Sequence, residues 1–293
     1  MKVGAIGEAM VELSMDGATA AKVGVAGDTL NTAIYLKRSA PEIEVDYITR
    51  LGTDQFSDQI EKFIRSEWIG TGNIERDPER MPGLYAITTD DAGERSFSYW
   101  RDSSAARRMF ATDQGADFSG LEGYDVLYLS GITLAIMSAG IRTALMRFLQ
   151  GFRKKGGRVC YDSNYRPQLW IDQDTAIAAN AAIWSLTDIA LPSIDDEQAL
   201  TGEDDKTIAM RFRMMERTGA LKRGASGPLC LKTGSEHPYA AAETVVDTTA
   251  AGDSFNGGYL GALLTGGSQA EALKAGHNLA SKVIGHKGAI LPR

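Results

Sequence analysis

The feature that most constrains this chain is a repeated alternation of short apolar runs with amphipathic segments. Apolar runs fall at 3–6, 47–49, 126–129, 158–161, 189–191 and 229–231. Helical patterns at 28–40, 55–68, 139–154 and 174–185 lie between several of them. The run Val126-Leu127-Tyr128-Leu129 has almost no polar face, so as a strand it needs cover on both sides. Such strands alternating with helices predict an α/β fold with a mostly parallel sheet flanked by helices. Ser268 followed by Glu271 before Leu273 reads as a capping box opening the last long helix.

Two stretches break the rhythm. Residues 9–26 mix polar and apolar side chains around Gly17 and Gly24. In 83–101, Leu84-Tyr85-Ala86-Ile87-Thr88 and Ser96-Phe97-Ser98-Tyr99-Trp100 flank the turn-rich Asp90-Asp91-Ala92-Gly93-Glu94, which predicts a hairpin.

Composition narrows the function classes. A net charge of −7 argues against a nucleic-acid surface, though a local basic pocket for an anion remains compatible with it. No run approaches the roughly 20 apolar residues of a membrane span, and the short N-terminal apolar run is broken by Glu8, which predicts a soluble, cytoplasmic protein. Cys160 and Cys230 sit in apolar runs and read as buried thiols, and the three histidines lack metal-ligand spacing. Gly151 to Gly157 has Gly where a phosphate-binding P-loop needs Lys, and the loops of protein kinases are missing. The opening Gly4-Ala5-Ile6-Gly7-Glu8 lacks the third glycine of a dinucleotide fingerprint.

The most telling segment is Asp247-Thr248-Thr249-Ala250-Ala251-Gly252-Asp253-Ser254. A β-like run at 242–246 precedes it and a helical pattern follows through Phe255, Tyr259, Leu260 and Leu263. A small-residue turn opening a helix leaves N–H groups unpaired at its positive end, which makes an anion site. Asp253 at its mouth is read in two ways on these residues alone. It caps the helix, or it takes a proton from a hydroxyl that attacks a phosphorus held by those N–H groups.

The segment resembles the second signature of the ribokinase-like (PfkB) sugar kinases, Asp-Thr-x-Gly-Ala-Gly-Asp, with Ala250 where many members carry Gly. Four further matches occur in order: Gly7-Glu8-Ala9-Met10-Val11-Glu12-Leu13, Gly27-Asp28-Thr29-Leu30-Asn31-Thr32, Tyr99-Trp100-Arg101 and Asn164-Tyr165-Arg166-Pro167. The resemblance covers nearly the whole chain. It implies one three-layer ribokinase-like domain over 1–293, with a small β-sheet lid from about 9–26 and 83–101. It also implies an ATP-dependent, Mg²⁺-assisted kinase, with a monovalent cation such as K⁺ and homo-oligomerisation left open.

The resemblance assigns roles residue by residue. Asp253 is the base, and the N–H groups of Ala250, Ala251, Gly252 and Asp253 stabilise the transferred group. Lys222, Gly224 and Gly227 in Lys222-Arg223-Gly224-Ala225-Ser226-Gly227 contact nucleotide, as do Asn164 and, near the adenine, Asn278; Ala250 and Gly252 share that side. Many members carry Asn-x-x-Glu where this chain has Ser193-Ile194-Asp195-Asp196, so Asp196 is left to act on the metal through water. Gly27, Asp28, Asn31, Tyr85, Tyr99, Arg101 and Arg166 face the acceptor.

Guanidinium binds carboxylate bidentately, so Arg101 and Arg166 on the acceptor side point to a sugar acid such as 2-keto-3-deoxygluconate. The plain alternatives are an exposed cation at Arg101 and an Arg166–Asp162 pair. A fructokinase-like neutral-sugar enzyme, an epimeric keto-deoxy acid and a non-catalytic sugar binder on the same fold stay open.

Overall fold

A computed structural model describes residues 1–17, 19–89 and 95–293. The first half contains β1 (Lys2–Ile6), β2 (Met10–Asp16), β3 (Ala20–Ala26), α1 (Asp28–Ser39), β4 (Glu44–Leu51), α2 (Gln55–Ser66), β5 (Ile74–Arg76), β6 (Leu84–Thr89) and β7 (Arg95–Trp100). A two-strand ladder follows, β8 (Ala111–Thr112) with β9 (Gly115–Ala116), and then β10 (Val126–Ser130), α3 (Gly131–Ile136) and α4 (Ala139–Lys154). The remainder is β11 (Arg158–Asp162), α5 (Gln173–Leu186), β12 (Ile189–Leu191), α6 (Ile194–Thr201), α7 (Asp205–Met214), β13 (Thr218–Leu221), β14 (Leu229–Cys230), α8 (Ala251–Leu264) and α9 (Gln269–Ile284).

Eight strands form the central sheet in the order β14-β13-β12-β11-β10-β1-β4-β5, parallel except for β14 against β13. Alternate residues of each strand enter opposite cores. Leu127 and Leu129 pack with α4 and α5 through Leu145, Leu149 and Ile183, while Val126 and Tyr128 pack with α1 and α8 through Leu30, Ile34 and Tyr259. That is why the strands read as unbroken apolar runs, and it makes three layers.

Strand order runs outward from β1 both ways, to β4 on one side and β10 on the other. The loops leaving the carboxyl ends of β1 and β10 therefore part company, which opens a crevice at this switch point. Over its edge lies a second sheet, β3-β2-β6-β7, built from the two stretches that break the βα rhythm. Its outer strands pair antiparallel, and β2 and β6 run parallel, with Glu12 opposite Tyr85. The predicted hairpin turn, Asp90 to Glu94, lies outside the described residues.

One local expectation is corrected. Residues 242–246 are not a strand: Val245 and Val246 are exposed, and the N–H groups of Val246 and Asp247 both donate to the Ile284 carbonyl at the end of α9. The β-branched pair imitates a strand, but its backbone partner is a helix end. The capping box at Ser268 and Glu271 is present, and both cysteines are buried as free thiols. Among the described residues no helix is long and apolar enough to cross a membrane.

Helix α8 carries a glycine seam that sets its distance from α1. A Cβ on Gly257 would stand 2.8 Å from the Leu36 nitrogen and 2.9 Å from the Thr32 carbonyl oxygen, both on α1. Only hydrogen fits there, and the two helices close up with their amino-terminal turns side by side.

Candidate active site

The crevice gathers polar side chains from the carboxyl ends of successive strands. Glu8 follows β1, Ser130 ends β10, Asp162 ends β11, Asp196 follows β12 and Lys222 follows β13. Helices α1 and α8 present their first turns to the same place.

Ala250 caps α8 with φ 60° and ψ 18°, the left-handed region. A glycine adopts that conformation freely, and an alanine does so at a cost of about 1 kcal/mol. The turn leads into Ala251, whose N–H donates to the Thr248 carbonyl, while among the described residues the N–H groups of Gly252 and Asp253 find no acceptor. Asp247 secures the turn from behind, accepting the Thr249 N–H at 3.0 Å and the Gly288 N–H at 2.8 Å.

Asp253, in the first turn of α8, receives a hydrogen bond from Asn31 Nδ2 to Oδ2 at 2.9 Å. Its own carbonyl accepts from Thr32 Oγ1 at 3.2 Å. Desolvation pushes the Asp253 carboxyl up to about 8, the Asp28 charge adds to the shift, and the Asn31 hydrogen bond opposes it. Asp28 in turn is raised by its burial, against a hydrogen bond from Ser130 Oγ. Asn164 Nδ2 also donates to Asp28, at 2.8 Å. Asn164, expected at the nucleotide, thus has its amide on the Asp28 carboxylate, and its φ of 26° turns the chain to bring it there.

Lys222 lies beside the opening of α8. Its ammonium stands 3.6 Å from where a Cβ on Gly252 would be, and it donates to Asp162 Oδ1 at 2.8 Å and Asn256 Oδ1 at 3.3 Å. Gly224 and Gly227, with φ of 53° and 73°, form the tight turn just beyond it. Asn278 is exposed on α9, and among the described residues no side-chain hydrogen bond fixes its amide.

The two arginines differ from the sequence expectations. Arg101 is no exposed cation: it is 7% exposed and ion-paired with Glu8, itself 1% exposed. Arg166 does not pair with Asp162. Its NH1 donates to the Tyr165 carbonyl at 2.7 Å and to Asp196 Oδ1 at 3.2 Å, and half of its side chain stays open. Asp162 is already taken by Lys222 and by Asn256, whose Nδ2 lies 2.6 Å from Oδ2. Asp196 is held up by burial and the Asp162 charge, with Arg166 pulling the other way.

Gly27, the N-cap of α1, passes close to the Glu8 backbone, where a side chain would collide. Tyr85 is buried in the small sheet with its hydroxyl on Glu12, and Tyr99 is 54% exposed on β7, ring centroids 5.5 Å apart. Three buried polar atoms on this side lack a partner among the described residues: Asn31 Oδ1, Glu8 Oε1 and Arg101 Nε. Among the described residues no cluster of three or more His, Cys, Asp or Glu could hold a metal ion.

Sequence reasoning does not single out Asn256 or Ser130, and takes Asp162 only as a partner for Arg166. Their signals were thin, a polar residue closing an apolar strand and an amide one turn after Gly252.

Comparison with known proteins identifies the family. The description "pfkB family carbohydrate kinase" matches residues 2–293. The 2-dehydro-3-deoxygluconokinase of Escherichia coli (strain K12) is 43% identical over 302 residues, covering 100% of this chain and 97% of that protein. The fructokinase of Vibrio alginolyticus is 26% identical over 262 residues, covering 88% of this chain and 82% of that one. The crystal structure of 2-dehydro-3-deoxygluconokinase from Thermotoga maritima matches with a TM-score of 0.84 at 20% identity, over 99% of this chain and 94% of that one, a likeness of fold. Matched from residue 2 to residue 293, the chain belongs to the pfkB family of carbohydrate kinases.

Proposed function

We propose that this chain transfers the γ-phosphoryl group of ATP to the primary hydroxyl of 2-keto-3-deoxygluconate, giving 2-keto-3-deoxy-6-phosphogluconate. The observation that carries the chemistry is Asp253, hydrogen-bonded to Asn31 and set beside unpaired N–H groups and the Lys222 ammonium. The name of the 43%-identical Escherichia coli relative supports the substrate.

In this reading Asp253 accepts the hydroxyl proton as the oxygen attacks phosphorus. A carboxyl held above its ordinary range is the better base near neutrality, provided it is ionised. The N–H groups of Gly252 and Asp253, with Lys222, face the charge that spreads over the equatorial phosphoryl oxygens. The new O–P bond forms as the bond to the β-phosphate oxygen breaks, and ADP leaves. The turn at Gly224 and Gly227 lies on the nucleotide side, with Asn278 near the adenine.

The acceptor lies against Gly27, Asp28 and Asn31, whose spare buried Oδ1 suits a sugar hydroxyl. Arg166 supplies the open half-guanidinium for the carboxylate, and Arg101, offset by Glu8, contributes shape and hydrogen bonds more than net charge. We read the whole chain as one domain, with the small sheet as a lid that brings Tyr85 and Tyr99 over the sugar and excludes water.

Magnesium fits a site with few protein carboxylates, because it keeps several waters and leans on substrate phosphates. Asp196 would hold it through water, and the ion would offset phosphate charge. A monovalent cation such as K⁺ is tested by replacing it with a bulky ammonium salt.

The deciding experiment is ATP consumption against 2-keto-3-deoxygluconate, its galactonate epimer, fructose and ribose. The expected result is a kcat/KM for 2-keto-3-deoxygluconate at least about tenfold above every neutral sugar. Equal use of fructose would replace this reading with a fructokinase, and no turnover on any sugar would leave a binding protein.

A further inference from the structure

Asp162 touches neither Asp253 nor the unpaired N–H groups of α8, yet it holds the third group of the reading above, the Lys222 ammonium. It is 2% exposed at the carboxyl end of β11. One oxygen accepts from Lys222 Nζ at 2.8 Å, the other from Asn256 Nδ2 at 2.6 Å. Asn256 sits one turn after Gly252 on α8, and its Oδ1 accepts from the same ammonium at 3.3 Å. Its Nδ2 also reaches the Tyr128 hydroxyl at 3.2 Å, which meets Thr32 Oγ1 at 3.1 Å, and Thr32 donates to the Asp253 carbonyl. The chain of contacts therefore runs from the ammonium to the residue that bears the base.

A lysine stem is flexible, and its ammonium is a point charge without a directing plane. Beside the α8 opening it would sweep a wide volume unless something fixed it. Asp162 and Asn256 do so from two sides. We propose that Asp162 is a positioning residue, which fixes the Lys222 ammonium over the amino end of α8 where the transferred phosphoryl group develops its charge. The inference rests on the kinase reading of Asp253 and Lys222.

The arrangement has a second consequence, an electrostatic one. The charged and titratable groups that face Asp253 are Asp28 and Tyr35 from α1, Tyr128 from β10, Asp162 from β11 and Lys222 beyond β13. Of these, the Asp28 and Asp162 charges oppose ionisation of Asp253 and the Lys222 charge favours it. Removing Asp162 or Lys222 therefore moves the Asp253 titration in opposite directions.

The test is steady-state kinetics of the full chain, with ATP and 2-keto-3-deoxygluconate, across pH. Asp162→Asn should lower kcat by about 10- to 100-fold with the sugar KM within about threefold, and move the acid limb to lower pH. Lys222→Met should lose at least as much and move the acid limb up. Because Asp162 acts through Lys222, the double variant should be no worse than Lys222→Met. Wild-type kcat in Asp162→Asn, or losses that multiply in the double variant, would overturn the inference. If Asp162→Asn does not fold, Asp162→Glu keeps the charge while displacing the ammonium. A lost kcat with an unmoved acid limb then supports the proposal, and a wild-type kcat overturns it. Asp253→Asn run in parallel separates the two readings: if it stays active the base assignment fails, whereas an inactive Asp253→Asn beside an active Asp162→Asn removes only the role of Asp162.

Discussion

Asn31 and Asp253 are 222 positions apart in sequence and joined by one 2.9 Å hydrogen bond, the contact at which the two opening helix turns meet. It favours the ionised form of a carboxylate that its surroundings otherwise hold neutral. Asp253→Asn keeps the shape of this contact and removes the basicity. Turnover should fall by at least about 10²-fold, and circular dichroism should show an intact fold. A near-wild-type turnover would remove Asp253 as the base.

The pH dependence follows from the same shift. A base works ionised, so activity should rise with pH through a value above the ordinary carboxylate range and fall away on acidification. Asn31→Ala removes the bond that stabilises the charged form, so the acid limb of kcat/KM should move further up. Rate profiles between about pH 5 and 9 check the direction; a limb near 4 would contradict it.

Carboxylate recognition is tested by coupling. Arg166→Lys should weaken 2-keto-3-deoxygluconate by about 10-fold or more, since an ammonium cannot reproduce the planar fork. A substrate analogue with the carboxylate reduced to an alcohol should lose affinity for the wild type and much less for the variant. Equal losses in both proteins would show that Arg166 does not read the carboxylate.

Gly257 predicts a purely mechanical effect. Gly257→Ala drives a methyl into the Leu36 nitrogen and the Thr32 carbonyl, which should destabilise the fold by about 1–3 kcal/mol. Prising α1 from α8 should also reduce kcat, although the residue touches no substrate. Chemical denaturation and kinetics together check both parts, and an unchanged midpoint would show that the seam is slack.

Glu197 reports on stability. It is 1% exposed, and burial lifts its carboxyl from 4.5 to about 7 despite Arg211 at 3.0 Å. A group whose folded pKa is raised contributes stability that is full below its unfolded value and lost as pH rises through the folded one. Glu197 should therefore contribute a drop in wild-type stability on the order of 3 kcal/mol between pH 5 and 8, beside that from Asp253, and Glu197→Gln should make the slope shallower. Urea titrations at the two pH values measure it.

Elements were legible in the sequence where one pattern dominated. Residues 139–154 were read as a helix and are one, because four apolar positions face the core at regular spacing. Strand β13 went unread, since Gly219 interrupts it and only three of its residues are buried. Partners were the harder part. Sequence proximity offered Asp162 to Arg166, but the parallel sheet sets the end of β11 beside β12, and α6 then presents Asp196 first. Glu8 and Arg101 read as unrelated residues until the small sheet folded one over the other. Such pairings depend on which strand ends become neighbours, information that local patterns do not contain.

The small sheet is inserted in two pieces, β2–β3 between β1 and α1 and β6–β7 between β5 and the β8–β9 ladder, while the base, the anion turn and Lys222 all follow β13. In the proposed reading, the cover over the sugar and the transfer chemistry are thus carried on separate stretches of the chain, while α1 and Arg166 set the direct acceptor contacts beside the phosphoryl machinery. Substitutions confined to the exposed faces of β2, β3, β6 and β7 should therefore change the cover over the sugar without displacing Asp253 or Lys222.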